Sequence, residues 1–286
     1  MITSGINVVT TARPAWFPEN YTHPEFIARG GQAEVWRARA ISGPSPVAIK
    51  RYFGPVSSSF YKETGYLIEL QSDHVVQLYD LVDTLEGGKL VVLEYCSGGT
   101  LRTLLHSKNR LSVRRTLDVG RQIARALLAV HRLDIAHGDV KPENIFLSRN
   151  IGAPRWKLAD FGLARHPGQL PGKPSLTPAY ACPCQFSNHL TYESDVYSLA
   201  VVMLECITGH RPQAFKAKDL LVHVNEASLH RFLAHCLEKD PRDRPSMKEF
   251  FVYCKRRLMV ETASNYLSDE SRIVLKSAIE EELNDN

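Results

Sequence analysis

A short polar run in the middle of the chain, His137 to Asn144 (HGDVKPEN), has the residue types of a catalytic loop. Asp139 is a candidate base that can accept a hydroxyl proton, and Lys141 can neutralise charge on a phosphate. Asn144, together with Asp160 of an Asp-Phe-Gly sequence sixteen residues later, offers the hard oxygen ligands that Mg²⁺ prefers. These residue types at these spacings predict a phosphoryl-transfer site.

The first third of the chain has the short apolar runs of β-strands, with one helix among them. The helix is predicted over Ser59 to Leu70, where Phe60 and Leu67 lie on one apolar stripe. Glu86 to Lys89 has the composition of a hairpin turn. We therefore expect a small, β-rich N-terminal part with one main helix. The strand candidates are Phe26-Ile27, Ala33 to Ala38, Val47 to Arg51, Val75 to Val82 and Leu90 to Tyr95.

After Ser97-Gly98-Gly99 the pattern changes to helices, which predicts a larger, mostly helical second part. Asp195 to Thr208 is apolar nearly all round, as a helix at the centre of a large core would be, and Gly209 is positioned to end it. Other helices are predicted over Ser112 to His131, Leu229 to Leu237, Ser246 to Leu258, and in an amphipathic tail from Ser268 to Leu283.

Composition and charge bound the class of protein. The chain has 286 residues, 44% of them hydrophobic, which is enough for a substantial core. No run approaches the ~18 apolar residues of a membrane span, and the first residues lack the features of a signal peptide. We therefore expect a cytoplasmic protein without a membrane partner.

The formal charge of +4 is modest for this length. Residues 261–286 hold seven acidic side chains against two basic ones, so the basic excess lies elsewhere in the chain. No stripe of basic residues interleaved with aromatic ones accompanies that excess, so we expect solvated helix faces and no nucleic-acid partner.

The six cysteines are too few for a disulfide scaffold of this size and fit reduced thiols. Cys182-Pro183-Cys184 is the one close pair, and His189 lies near it in the sequence. A zinc site there would lack a second cysteine pair at finger-like spacing. We therefore favour two loop thiols over a metal site.

Residues 25–258 resemble a eukaryotic-type (Hanks-type) serine/threonine protein kinase, because the motifs of that family occur in order across this range. The resemblance implies an α+β, bilobal fold with a β-rich N-lobe and a larger helical C-lobe. It implies an N-lobe over residues 25–95, a hinge over 94–98 and a C-lobe over 99–258. Residues 1–24 would form a leader and 259–286 an acidic, helical tail. A compact kinase of this kind is compatible with a bacterial or phage protein.

The resemblance also implies an ATP site. The segment Ile27 to Val35 lies where the family has its glycine-rich loop, but two of the three glycine positions hold Ala28 and Ala33, and a plain hairpin would also explain it. Leu93 would be the gatekeeper. The nucleotide-binding residues implied by the resemblance are Ile27, Gly30, Val35, Ala48, Lys50, Glu94, Cys96 and Phe146.

Lys50, in the sequence Val-Ala-Ile-Lys, matches the family's lysine that binds the α and β phosphates. Its carboxylate partner by resemblance is Glu63, because Leu67 then falls one helical turn on, where the family has a spine residue. Glu69 is the competing partner. We favour Glu63, since Glu69 would break that alignment.

By resemblance, Asp139, Lys141, Lys50 and Glu63 are the catalytic residues, and Asn144 and Asp160 hold Mg²⁺. Residues of the apolar spine and its anchor are implied at Leu67, Leu78, His137, Phe161 and Asp195.

The presumed activation segment runs from Asp160 to Cys184. Ser175 and Thr177 are candidate phosphorylation sites, and Thr177 also matches a residue that contacts the catalytic Asp and Lys. Gly138 stands where an arginine that pairs with an activation-segment phosphate is common, giving a non-RD variant. We therefore expect activity that depends little on phosphorylation at Ser175 or Thr177.

Cys184 replaces the glutamate that ends the family's activation segment, and Arg244 matches the buried arginine that pairs with that glutamate. A buried guanidinium without its carboxylate would cost roughly 3–5 kcal/mol. We therefore expect another acid or backbone carbonyls to bind Arg244.

Three functions are weighed. The leading one is ATP-dependent phosphorylation of Ser and Thr in protein substrates, including the kinase itself. His-Gly-Asp with Asn five residues later also resembles small-molecule kinases of the aminoglycoside and choline type, which lack a platform for protein substrates. The Asp-Phe-Gly sequence and the segment from Asp160 to Cys184 count against that alternative. A pseudokinase scaffold is suggested by Ala28, Ala33, Gly138 and Cys184, but no catalytic group is missing from the sequence.

Overall fold

The computed structural model describes residues 13–30, 33–53, 58–83, 88–149, 152–169, 177–187, 189–214 and 216–264. The chain divides into two compact units. The N-terminal unit comprises residues 1–71 and 76–97, and the C-terminal unit comprises 72–75 and 98–286. The predicted second part of the chain therefore also takes in a short piece from residues 72–75.

The N-terminal unit is built on a five-stranded antiparallel sheet with the strand order β1-β2-β3-β5-β4. Residues of β3 alternate between a buried core face and the opposite face, and Val47 and Ile49 are buried. The unit also contains helix α1. The elements are β1 (Tyr21–Arg29), β2 (Ala33–Ala40), β3 (Val47–Tyr52), α1 (Ser58–Glu69), β4 (Leu78–Asp83) and β5 (Lys89–Glu94).

Part of the segment assigned to a leader belongs to this unit. Phe17 and Tyr21 are 4% and 8% exposed and join the core formed by Trp36, Ile49 and Val92. Phe17 precedes the sheet, and Tyr21 is the first residue of β1, so the sheet begins within the segment that was assigned to the leader. Residues 1–12 lie outside the described part of the chain.

The C-terminal unit is mostly helical and contains one two-stranded antiparallel hairpin, β6-β7. The central helix α5 is buried at every position from Ser194 to Cys206, and Gly209 ends it in the left-handed conformation, as predicted. It packs against α3, α6 and α7. The elements are α2 (Leu101–Lys108), α3 (Val113–His131), β6 (Ile145–Ser148), β7 (Arg155–Leu158), α4 (Pro183–Phe186), α5 (Tyr192–Thr208), α6 (Ala227–Cys236) and α7 (Met247–Ser264).

The predicted fold class, a β-rich unit followed by a helical one, is confirmed. Helix α7 continues to Ser264, past the predicted end at Leu258, and Val75 bridges to Leu158 in the C-terminal unit instead of opening β4. Of the turn predicted over Glu86 to Lys89, residues 86 and 87 lie outside the described residues, and Lys89 is the first residue of β5. The tail from 265 also lies outside the described residues. Within the described part, no helix is long and apolar enough to cross a bilayer.

Candidate active site

Lys50 and Glu63 form an ion pair within the N-terminal unit. Lys50 lies on β3 opposite Val35 of β2, and its Nζ is 3.3 Å from Glu63 Oε1 on α1. Both side chains are largely buried, with 24% and 12% exposure, so water screens the pair only partly. The structure thus pairs the lysine with the favoured glutamate, while Glu69 is exposed at the last turn of α1.

Tyr52 is a third member of this cluster that the sequence reasoning missed. Its hydroxyl donates to the second oxygen of Glu63 at 3.2 Å, and Lys50 Nζ lies 4.8 Å from its ring centroid. Burial, followed by the nearby Glu63 carboxylate, raises the pKa of Tyr52 to about 12, so the hydroxyl remains a donor. Strand alternation was the available signal, because residues two apart on β3 share a face.

The segment in the glycine-rich position forms the β1-β2 turn. Ala28 pairs with Val35 across the two strands, and the Gly30 N–H donates to the Ala33 carbonyl at 2.8 Å. Ile27 is 47% exposed, whereas Val35 is half-buried. Residues 31 and 32 lie outside the described residues.

The predicted hinge ends the N-terminal unit. Glu94 closes β5, where its N–H donates to the Gln77 carbonyl at 2.9 Å, and Cys96 is 8% exposed. Ala48 is half-buried on β3, two residues before Lys50, and faces Leu93 on β5. Leu78 of β4 pairs with Leu93, and Leu67 on α1 is buried.

Within the C-terminal unit, the segment after the hinge is bonded to the strand that follows the catalytic loop. The Gly98 N–H donates to the Leu147 carbonyl, and the Leu147 N–H donates to the Gly99 carbonyl, both at 2.8 Å. Phe146, on the same strand, bridges to Thr100 and is half-buried. These bonds fix the start of α2 relative to β6.

The catalytic loop brings four predicted side chains into one hydrogen-bonded cluster. Lys141 Nζ donates to Asp139 Oδ2 at 2.6 Å and to Thr177 Oγ1 at 2.9 Å. Thr177 Oγ1 donates to Asp139 Oδ1 at 3.0 Å. Asn144 Nδ2 donates to the Asp139 carbonyl at 2.9 Å and to its Oδ2 at 3.0 Å. The activation segment therefore contacts the candidate base directly.

The environment of Asp139 suits a base. Its side chain is 10% exposed, and burial raises its pKa above the ordinary value. Lys141 and His137 oppose that rise, and the Asp160 carboxylate adds to it. A raised pKa makes a carboxylate a stronger proton acceptor than a fully solvated one.

Asp195, at the start of α5, anchors the loop backbone. Its carboxylate is fully buried and accepts from the His137 N–H at 2.8 Å, the Gly138 N–H at 2.9 Å and His131 Nε2 at 2.9 Å. Burial alone would raise the pKa of Asp195, but the hydrogen bonds and the nearby imidazoles lower it overall. The anchoring role implied for Asp195 matches this geometry, and His131 is a partner that the sequence did not reveal.

Gly138 adopts a backbone conformation that restricts replacement. Its φ is +75°, and a Cβ there would lie 3.3 Å from the Leu190 methyl groups and 3.4 Å from the Leu163 carbonyl. Both the backbone conformation and the neighbouring side chains therefore favour glycine at position 138.

His137 is oriented by two bonds that fix its tautomer. The Asp139 N–H donates to His137 Nδ1 at 3.2 Å, so Nε2 carries the proton that is donated to the Ala159 carbonyl at 3.2 Å. The ring meets Phe161 edge-on with centroids 5.0 Å apart. The loop and the Asp-Phe-Gly segment are thus packed together within the C-terminal unit.

Asn144 and Asp160 have the chemistry of an Mg²⁺ site. Asn144 uses its amide nitrogen on Asp139, which leaves its amide oxygen as a donor to a cation. Asp160 is exposed, with φ at +68°. Across the residues described, no cluster of three or more His, Cys, Asp or Glu could hold a metal alone. The pair fits Mg²⁺ because that ion usually keeps several waters and binds substrate phosphates beside one or two protein ligands.

Cys182 and Cys184 differ from the expectation of free thiols, because they form a disulfide bond. Their Cα atoms are 5.3 Å apart, within the usual range for disulfides, because the turn at Pro183 brings the side chains together. Bonded sulfurs offer no thiolate to zinc. The other four cysteines are free and buried, as expected.

Backbone carbonyls bind Arg244, as expected, and no carboxylate of the described residues forms an ion pair with it. It donates to the Glu238 carbonyl at 2.8 Å and to the Glu193 carbonyl at 2.9 Å. It also lies 3.2 Å from Cys182 Sγ and over the Tyr197 ring at 5.0 Å. Burial lowers the pKa of Arg244, because it removes water from the charged guanidinium. The hydrogen bonds to the carbonyls offset that cost.

Gln185 is another contact that the sequence did not indicate. This buried side chain donates to the Gly138 carbonyl at 2.9 Å and accepts from the Cys182 N–H at 2.9 Å. It joins the end of the activation segment to the catalytic loop across 47 residues of sequence. Ser175 lies outside the described residues.

The antiparallel sheet with its Lys50–Glu63 pair, followed by a helical unit with this catalytic loop, defines a kinase-like phosphotransferase fold. Comparison with known families gives the same result. The protein kinase domain matches residues 21–253, starting at the first residue of β1, and the chain belongs to this family. Membership implies the use of ATP, typically with Mg²⁺.

Several curated serine/threonine-protein kinases are similar to this chain. The kinase drp72 of Corynebacterium efficiens is 32% identical over 225 residues, which cover 73% of this chain and 43% of the relative. Human ULK1 is 32% identical over 259 residues, covering 81% and 25%. PknE of Mycobacterium tuberculosis is 30% identical over 250 residues, covering 78% and 43%. The chain thus matches less than half the length of each of these relatives.

Proposed function

We propose that the chain transfers the γ-phosphoryl group of ATP to Ser and Thr hydroxyls of protein substrates. The observation that carries the proposal is the cluster of Asp139, Lys141, Asn144 and Thr177, joined by hydrogen bonds of 2.6–3.0 Å. The names of the similar proteins, all serine/threonine kinases, support the same activity.

Asp139 would orient the acceptor hydroxyl and take its proton. Its two oxygens already accept from Lys141, Asn144 and Thr177, so the carboxylate is fixed before the acceptor arrives. The raised pKa makes proton transfer to it more favourable than to an ordinary aspartate.

Lys141 and Lys50 would each neutralise phosphate charge. Lys141 is free to exchange its bond to Asp139 or Thr177 for a phosphate oxygen because all three of its hydrogens can serve as donors. Lys50 is held in place by Glu63, and Tyr52 in turn holds Glu63. Because the two ammonium groups are already in place, the site does not have to rearrange as charge develops on the transferred phosphoryl group.

Asn144 and Asp160 would hold Mg²⁺, which neutralises charge on the β- and γ-phosphates when bound. The remaining nucleotide contacts proposed are the apolar and backbone groups of Ile27, Val35, Ala48, Glu94, Cys96 and Phe146, with Gly30 in the turn of the first hairpin.

The proposal is tested with γ-³²P-ATP, Mg²⁺ and general acceptor proteins such as casein and histone. We expect label on the acceptors and on the kinase itself, and phosphoamino acid analysis should find phosphoserine and phosphothreonine. Omitting Mg²⁺ should abolish the label.

The same experiment separates the two alternative functions. A pseudokinase would give equal background label for the wild type and for Asp139→Asn. A small-molecule kinase would release ADP only when an amino alcohol or aminoglycoside is supplied, without label on protein. Either outcome would contradict the proposal. The cytoplasmic location inferred from the sequence stays a prediction.

A further inference from the structure

The C-terminal unit contains a pocket of about 690 Å³ that takes no part in the chemistry proposed above. Its walls come from α2, α3, the β6-β7 hairpin and α7, and apolar side chains such as Leu147 and Trp156 contribute to them. The polar part of the wall is dominated by four arginines. We call this site the arginine pocket, after Arg114, Arg115, Arg121 and Arg149.

Among the described residues, the walls of the arginine pocket carry more basic than acidic side chains. Asp118 is the acidic residue among the described lining side chains, and its carboxylate accepts from Arg121 at 2.7 Å. Arg115 and Arg149 are exposed, and no carboxylate in the described part of the chain lies within 4 Å of either. The two exposed arginines therefore favour an occupant that carries negative charge, and the apolar wall favours one that also carries apolar groups.

Helix α7 brings the end of the described chain to the rim of the pocket. Leu258 is part of the pocket wall, and Glu261, one turn further, lies 3.7 Å from Arg114. The helix ends at Ser264, roughly 9 Å along its axis from Leu258. The described chain therefore ends within two helical turns of the pocket wall.

Residues 265–286 have the composition that the pocket requires. They hold six acidic and two basic residues, a net charge of −4. Three consecutive acids, Glu280 to Glu282, are flanked by Ile279 and Leu283, so charge and apolar surface occur together. Twenty-two residues are enough to reach any part of the pocket from Ser264.

We propose that residues 265–286 bind in the arginine pocket of the same chain, with the acids of Glu280 to Glu282 pairing with Arg115 and Arg149. The pocket is thus an interaction surface for an acidic, amphipathic segment. Covalent continuity through α7 gives that segment a high effective concentration, so that individually weak surface ion pairs suffice to hold it.

Limited proteolysis of the full chain tests this interaction. Chymotrypsin is used because Tyr266 and Leu275 supply cleavage sites within residues 265–286, and the charge changes below leave those sites intact. Cleavage at the two sites is followed by mass spectrometry. We expect Arg115→Glu with Arg149→Glu to accelerate it by about fivefold or more, because the open form becomes more populated.

The tail side of the contact is tested by Glu280→Gln, Glu281→Gln and Glu282→Gln together, which should give a similar acceleration. Changing these three acids to Arg in the Arg115→Glu, Arg149→Glu background should restore slow cleavage, since opposite charges again face each other. Raising NaCl from about 50 to about 500 mM should accelerate cleavage of the wild type and of the charge-swapped variant, because both depend on ion pairs. It should leave the cleavage rate of the other variants unchanged.

The matched control is Arg132→Glu with Arg231→Glu, which reverses two exposed arginines of the C-terminal unit outside the pocket. It should leave the cleavage rate unchanged. Arg115→Gln with Arg149→Gln provides a milder variant if charge reversal lowers the amount of folded protein. Proteolysis needs no phosphoryl transfer, so this outcome is independent of the proposed function.

Equal cleavage rates in the wild type and the pocket variants would overturn the proposal. An effect of the pocket arginines without any effect of the three glutamates would also overturn it, and would assign the pocket to an acidic segment of another protein.

Discussion

Replacing Thr177 by valine tests the contact between the activation segment and the candidate base. Valine has nearly the shape of threonine, so packing is preserved while the hydroxyl is removed. That hydroxyl donates to Asp139 at 3.0 Å and accepts from Lys141 at 2.9 Å. The variant therefore loses two hydrogen bonds to charged partners and changes little else.

The magnitude follows from what remains in Thr177→Val. Asp139 keeps its bonds to Lys141 at 2.6 Å and Asn144 at 3.0 Å, so the net loss is close to one charged hydrogen bond. Such a bond contributes about 1.5–3 kcal/mol. We expect kcat/KM to fall by about 10- to 150-fold. Removing a donor from Asp139 also raises its pKa further, so the acid limb of the pH–rate profile should move to higher pH.

The assay is the initial rate of phosphate transfer from ATP to an acceptor protein, measured over a range of pH. Thr177→Ser is the matched control, because serine keeps the hydroxyl, and its activity should stay within about threefold of wild type. Two results would refute the reasoning: wild-type activity in the valine variant, or equal losses in the serine and valine variants.

Two further substitutions test the anchor and the end of the activation segment. Asp195→Asn should lower the unfolding free energy at pH 7 by roughly 3 kcal/mol, because a buried carboxylate that accepts several hydrogen bonds is lost. The folded pKa of Asp195 is lowered, so its stabilisation is present above the ordinary value and is lost as the pH falls below it. The difference in unfolding free energy between wild type and variant, measured by urea unfolding, should therefore become smaller in acid. A difference that does not change with pH would contradict the lowered pKa of Asp195. Cys184→Glu should change Tm by less than about 4 °C relative to Cys184→Ser, because backbone carbonyls already bind Arg244. A larger gain in differential scanning fluorimetry would mean that Arg244 still needs a carboxylate.

The dual role expected of Thr177 affects how its phosphorylation can be studied. Alanine at this position removes the two bonds to the catalytic loop as well as a phosphate acceptor. A loss of activity in such a variant therefore does not show dependence on phosphorylation. Phosphatase treatment of the wild type is the cleaner test of the prediction that activity depends little on phosphorylation.

Local pattern was sufficient to predict most elements of the fold. Helix α5 was predicted from an unbroken apolar run closed by Gly209, and both features are determined by neighbouring residues. The hairpin β6-β7 was missed, because four-residue strands such as Ile145–Ser148 are too short for a clear period. Its stability comes from contacts with distant segments, including the bonds of Leu147 to Gly98 and Gly99.

The candidate site was predictable where its residues lie close together in the sequence. The residue types and spacing of Asp139 and Lys141 identified both as catalytic-loop residues, and the family resemblance added Glu63. His131 and Gln185 were not identified, because each acts through a bond to a segment 47 or more residues away. A single sequence carries no signal for a polar side chain that is satisfied by a distant backbone or carboxylate group.

The central claim is that Asp139 is the base of a phosphoryl-transfer site, and the rate of γ-phosphate transfer by Asp139→Asn tests it most directly. Asp219→Asn, which changes an exposed carboxylate elsewhere in the C-terminal unit, is the matched control. We expect a loss of about 10²- to 10⁴-fold for Asp139→Asn, with unchanged ATP binding, and wild-type rates for the control. Equal rates for Asp139→Asn and wild type would contradict the account.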